Sequence, residues 1–168
     1  MQRRTWLKLG LASAAGLALL GGGLALQRPA LSAGRLLPAG RAIFEAVGAA
    51  VLEGCLPEGG PVRQAALQGL LARLDDTLAG LPAATQAELA QLLALLASAP
   101  GRWALAGLSS DWPDADPAQV LAALEDMRFS RLAVRQQAYQ ALHEIVGGAY
   151  FSDEATWSTL GYPGPVDI

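Results

Sequence analysis

The sequence predicts an all-α protein: a small bundle of about five to six short helices after an N-terminal signal or anchor helix, closed by an irregular aromatic C-terminal tail. Three observations predict it. Ala and Leu dominate a chain of 168 residues that is 52% hydrophobic and only 16% charged, a composition that favours helices and supplies a packed core. Leucines recur at steps of three and four through the middle of the chain, the spacing of a single helical face. No stretch alternates polar and apolar residues for long enough to propose a sheet.

The chain opens Met-Gln-Arg3-Arg4-Thr5-Trp6-Leu7-Lys8, and residues 9–26 follow as an uncharged run of 18 residues rich in Leu, Ala and Gly. Paired arginines hold an N-terminus on the cytoplasmic side while a moderately apolar run enters the bilayer. The pattern resembles a twin-arginine translocation signal, with Arg3, Arg4, Trp6, Leu7 and Lys8 as its determinants and Gly21–Gly23 inside its apolar run. That signal is assigned to residues 1–33; Ala30-Leu31-Ser32 is the best cleavage candidate, and retention as an uncleaved anchor stays open. Pro29, Gly34, Pro38 and Gly40 mark a linker, assigned to residues 34–40, ahead of a domain over 41–168.

Within that domain the first helix covers 41–56, with Phe44, Val47, Val51 and Cys55 on one stripe. The second, about 62–81, carries Leu67, Leu70, Leu71, Leu74, Leu78 and Leu81, leaving Asp75 and Asp76 off that face. Thr85 and Glu88 form a capping-box pattern for a third helix over 86–98. Pro100 and Gly101 stop it, and Trp103–Leu108 is a short helical segment. Asp116 and Pro117 read as N-cap and first residue of a helix lined by Val120, Leu121, Leu124 and Met127. The last long helix, about 131–150, buries Val134, Ala138, Leu142, Ile145 and Ala149 and shows Gln136, Gln140 and His143 on its other face. Ser152, Asp153 and Glu154 cap one further turn.

Motifs that carry chemistry are sparse. Cys55 is the only cysteine and His143 the only histidine, so neither a disulfide within the chain nor a Cys-ligated metal site is expected. His143-Glu144 begins like a zinc-protease helix, but Gly147 stands where the second ligand belongs. Neighbouring acids such as Asp75-Asp76, Glu125-Asp126 and Asp153-Glu154 point apart on a helix and read as solvated faces. No catalytic, cofactor-binding or metal-binding residue is assigned. Net charge is −3. Four of the twelve basic residues precede residue 33 and no acid precedes Glu45, so the domain beyond is near −7. An acidic domain argues against nucleic acid as a partner.

The final stretch crowds Tyr150, Phe151, Trp157, Tyr162 and Pro163 into a Pro- and Gly-rich tail. Such a tail has no core of its own, so its aromatics dock either on the bundle or on a partner. Here a resemblance enters. Arg135, Tyr139, Leu142, Ala149-Tyr150-Phe151, Trp157 and Leu160-Gly161-Tyr162-Pro163-Gly164-Pro165 are similar to the small (gamma) subunit of membrane-bound gluconate 2-dehydrogenase, also called subunit 3. The resemblance runs over residues 41–165 and is sharpest over 131–165.

It implies an accessory, non-catalytic subunit that helps a large flavoprotein dehydrogenase of the glucose-methanol-choline type to fold and leave through the twin-arginine translocase. FAD, and in many such systems the haem of a cytochrome c subunit, would belong to the partners. The complex would oxidise a sugar, sugar acid or alcohol at the periplasmic side of the inner membrane. Two other readings of the residues stay open: a stand-alone exported helical binding protein, and an enzyme with an unrecognised site.

Overall fold

A computed structural model describes residues 29–162 and 164 of the chain. The determinants of the export signal therefore lie outside the described residues, as does Pro163. The described part is an all-α bundle with one small hairpin. Strands β1 (Leu31–Ser32) and β2 (Arg35–Leu36) precede α1 (Pro38–Val51), α2 (Gly60–Ala79), α3 (Ala83–Ala97), α4 (Ala99–Ala106), α5 (Pro117–Arg128) and α6 (Ala133–Phe151). Short 3-10 helices occur at Trp112–Asp114 and Glu154–Leu160.

Helix α1 is the centre of the bundle and packs against α2, α3, α5 and α6. Its stripe of Ile43, Phe44 and Val47 is completely buried, and each such side chain contributes about 1.5–3 kcal/mol by leaving water. A Cβ on Gly48 would stand 2.7 Å from Leu70 Cδ2, so the missing side chain is what brings α2 so near. The helix is shorter than its hydrophobic pattern predicts. It ends at Val51, and Cys55 follows in a turn, half-buried against the core.

The hairpin spans the end of the segment read as signal and the start of the one read as linker, and the linker also holds the first turn of α1. Leu31 pairs with Leu36 and Ser32 with Arg35, joined by Ala33 (φ 49°) and Gly34 (φ 73°). Both turn residues are left-handed, as the twist of a two-residue hairpin loop demands. Ala30, Leu31 and Leu36 are buried, with β1 against α3 and β2 against α2. Strands of two residues are too short to show alternation, which is why no periodic signal announced them. Asp75 fixes the hairpin. Read as solvated, it is instead buried, accepting from the Leu36 amide at 2.7 Å and from the Arg41 guanidinium. Its neighbour Asp76 faces solvent.

Between α3 and α4 the chain turns by 100°. Ser98 makes the corner: its Oγ donates to Leu95 O at 2.8 Å and accepts from the Gly101 amide at 3.2 Å. Pro100 and Gly101 therefore lie in the first turn of α4 rather than in a break. The expected capping box at Thr85 and Glu88 is absent because α3 starts at Ala83 and Thr85 is already inside it. Gln86 instead donates to the Ala79 and Leu81 carbonyls at 3.3 and 2.9 Å, closing the end of α2. Among the described residues no single helix is long and apolar enough to cross a membrane.

The N-terminus of α5 forms as its sequence dictates, with Asp116 as cap, Pro117 first, and a capping box completed by Gln119. Val120, Leu124 and Met127 are buried, whereas Leu121 is 47% exposed because it lies one step around the helix from that stripe. Helix α6 buries Ala138, Leu142, Val146, Ala149 and Tyr150. Val134 and Ile145, expected in the core, are only half-buried and line a groove against α3.

Candidate functional site

The aromatic C-terminal segment begins on the last turn of α6. Tyr150 is 4% exposed, and its hydroxyl donates to Cys55 O at 2.9 Å. Phe151 meets the Tyr150 ring edge-on with centroids 5.1 Å apart, a favoured aromatic geometry. Burial pushes the Tyr150 phenol above its ordinary value; the nearby Cys55 and Asp153 add to the rise and Arg73 opposes it.

Arg73 of α2 joins these parts. Its Nε donates to Ala149 O at 3.0 Å, its Nη1 pairs with Asp153 at 3.0 Å, and its guanidinium carbon lies 5.9 Å from the Tyr150 ring centre. Sequence reading singled out Asp153 but not Arg73. The available signal was positional: an arginine beside Leu70, Leu71 and Leu74 sits at the border of a buried stripe, where its stem packs and its head reaches out.

Beyond the helix the chain folds back on itself. Thr156 Oγ1 donates to the Tyr150 and Asp153 carbonyls, at 3.2 and 2.7 Å, and the Ala155 amide donates to Asp153 Oδ1 at 3.0 Å. Trp157 is half-buried and donates from Nε1 to Phe151 O at 2.8 Å. Tyr162 follows, its ring 5.4 Å from that of Trp157, and its amide donates to Trp157 O at 3.2 Å. Gly161 (φ 69°) allows the reversal that brings the two rings together.

Of the five tail residues singled out, Tyr150 is thus sealed in the bundle, Phe151 and Trp157 are half-buried, and Tyr162 is 48% exposed. The accessible part of the segment is the Trp157–Tyr162 pair. The arrangement positions an aromatic surface on an anchored turn.

Elsewhere His143 is exposed on α6, its ring 5.4 Å from that of Tyr139. Among the described residues no three His, Cys, Asp or Glu side chains converge as a metal site. The groove between α3 and α6 has a volume of about 150 Å³ and is lined by Leu81, Leu89, Leu92, Val134, Ala138 and Ile145, with Glu88 and Gln137 at its polar edge. Two further depressions adjoin Pro38 and Trp112 (about 380 Å³) and Gly107–Ser110 with α5 (about 360 Å³). The chain matches no family model, and comparison with curated proteins and with solved structures finds no match.

Proposed function

We propose that the chain is an accessory, non-catalytic small subunit of a periplasm-facing flavin-dependent dehydrogenase, of the gluconate 2-dehydrogenase subunit 3 kind. In this reading it helps the large subunit fold and carries it through the twin-arginine translocase. FAD resides in that large subunit and haem, where present, in a cytochrome c subunit. The substrate is a sugar, sugar acid or alcohol.

One observation supports the reading above others: a leader of the form Arg3-Arg4-Thr5-Trp6-Leu7-Lys8 and an aromatic segment running from Tyr150 to Pro165 stand on the same chain, on either side of a closed helical bundle. The leader addresses a route that takes folded cargo. Within the segment the half-buried Trp157 and the exposed Tyr162 meet on a hydrogen-bonded turn, a favourable design for partner contact because little ordering entropy remains to be lost.

A stand-alone binding protein would use the groove between α3 and α6. About 150 Å³ holds one aromatic ring, whereas ligand pockets begin near about 300 Å³, a size reached instead by the depressions at Pro38 and Trp112 and at Gly107–Ser110. The groove suits a single partner side chain better than a free ligand.

The experiment is co-export. A tagged full-length chain expressed with its neighbouring genes should recover a larger flavin-containing chain from the periplasmic fraction. Arg3→Lys with Arg4→Lys should hold both chains in the cytoplasm. Periplasmic delivery of the flavoprotein without this chain, or recovery of this chain only as a lone monomer, would sink the reading.

A further inference from the structure

The turn between α5 and α6 presents side chains that neither the core nor the tail uses. Its sequence is Arg128-Phe129-Ser130-Arg131-Leu132; Phe129 is 72% exposed and Leu132 61%. The backbone beneath them is tied. The Phe129 amide donates to Glu125 O at 3.1 Å, the Leu132 amide to Ser130 Oγ at 3.2 Å, and Gln136 Nε2 to Ser130 O at 2.9 Å. The two apolar side chains are therefore held out by an ordered turn rather than exposed by fraying.

The same junction is also tied to α4. Arg135 donates to Leu105 O and pairs with Asp126, each at 2.7 Å.

Charge adds a direction. Five of the eight arginines beyond residue 33 are ion-paired. Of the three with no ion pair among the described residues, two flank this turn: Arg131, exposed, and Arg128, whose guanidinium lies 5.2 Å from the centre of the Phe129 ring. The nearest acids on α5 are Glu125, one turn back, and Asp126, already held by Arg135.

We propose that the α5–α6 turn docks on an anionic lipid surface, with Phe129 and Leu132 entering the headgroup boundary and Arg128 and Arg131 on the lipid phosphates. Apolar tips combined with exposed cations are the composition that binds such surfaces. Protruding side chains need no preformed pocket in a bilayer, whereas a protein partner must supply one. A domain near −7 overall is on balance repelled by anionic lipid, which favours approach through the turn that carries two of its three arginines with no ion pair among the described residues. The proposal does not depend on the identity of any dehydrogenase partner.

Residues 9–26 partition into lipid on their own, so the readout must be local to the turn. The test uses the full chain with Cys55→Ser and Ala133→Cys, the new thiol carrying an environment-sensitive fluorophore; Ala133 is exposed beside Leu132. On vesicles of mixed phosphatidylcholine and phosphatidylglycerol, the emission should shift to the blue and be quenched by nitroxide-labelled lipid. Pure phosphatidylcholine should leave it unchanged. Arg128→Gln with Arg131→Gln should weaken the response about 30-fold, and Phe129→Ser with Leu132→Ser should abolish the shift. Aqueous emission from a chain that sediments with the anionic vesicles would overturn the proposal, since contact is then made by another segment or the turn serves a protein. An equal response on neutral vesicles would overturn it too.

Discussion

The phenol of Tyr150 donates to the main-chain carbonyl of Cys55 at 2.9 Å, across 95 residues of sequence. This bond ties the end of the last helix to the turn that follows the first. Tyr150→Phe keeps the ring contacts and removes only that bond, so it should cost about 1 kcal/mol, roughly 3 °C in melting temperature. A pH dependence accompanies it. Burial raises the phenol above 10.0 in the folded chain, so the folded state keeps its proton at alkalinities where the unfolded chain has lost it. The stability that comes from burying the phenol in its neutral form is complete below 10.0 and is lost as pH rises through the folded value. Denaturant titrations should show a fall in stability above that pH in the native chain, and a shallower one in Tyr150→Phe.

Asp75→Ala tests the buried carboxylate that fixes the hairpin. The Leu36 amide loses its acceptor inside the core, while Arg41, 39% exposed, turns to water. The orphaned amide dominates, at about 2–3 kcal/mol. Asp75→Asn keeps an oxygen for that amide and loses the charge, and should cost about 1 kcal/mol. Equal losses for the two variants in chemical denaturation would place the main contribution in the ion pair instead.

That residue also marks how far the sequence could be read. Helices α2, α3, α5 and α6 are legible because each carries a leucine or valine stripe several turns long, and Asp116-Pro117 declares a boundary outright. The hairpin is illegible because each strand has two residues, and Asp75 became a core residue only through it. At the candidate site Tyr150 was legible as aromatic, but not as sealed: its partners Cys55 and Arg73 come from the two earlier helical regions. Local pattern reports which face of a helix is apolar. It does not report which distant carbonyl a polar tip will find.

The corner at Ser98 offers a contrast between two glycines. A Cβ on Gly101 would stand 2.2 Å from Leu95 O, and main-chain atoms must move to admit it because the acceptor is backbone rather than a flexible side chain. Gly101→Ala should therefore cost about 2–3 kcal/mol, the order of an overpacked core, and widen the 100° bend between α3 and α4. Gly147 lies inside α6 with nothing within 4 Å of its would-be Cβ. There the side chain only reduces the freedom of the unfolded chain and favours the helix, so Gly147→Ala should stabilise by about 0.5–1 kcal/mol. Thermal melts of the two variants should move in opposite directions from the native midpoint. A stabilised Gly101→Ala would mean that the corner is held by something other than the close approach of α4 to the end of α3.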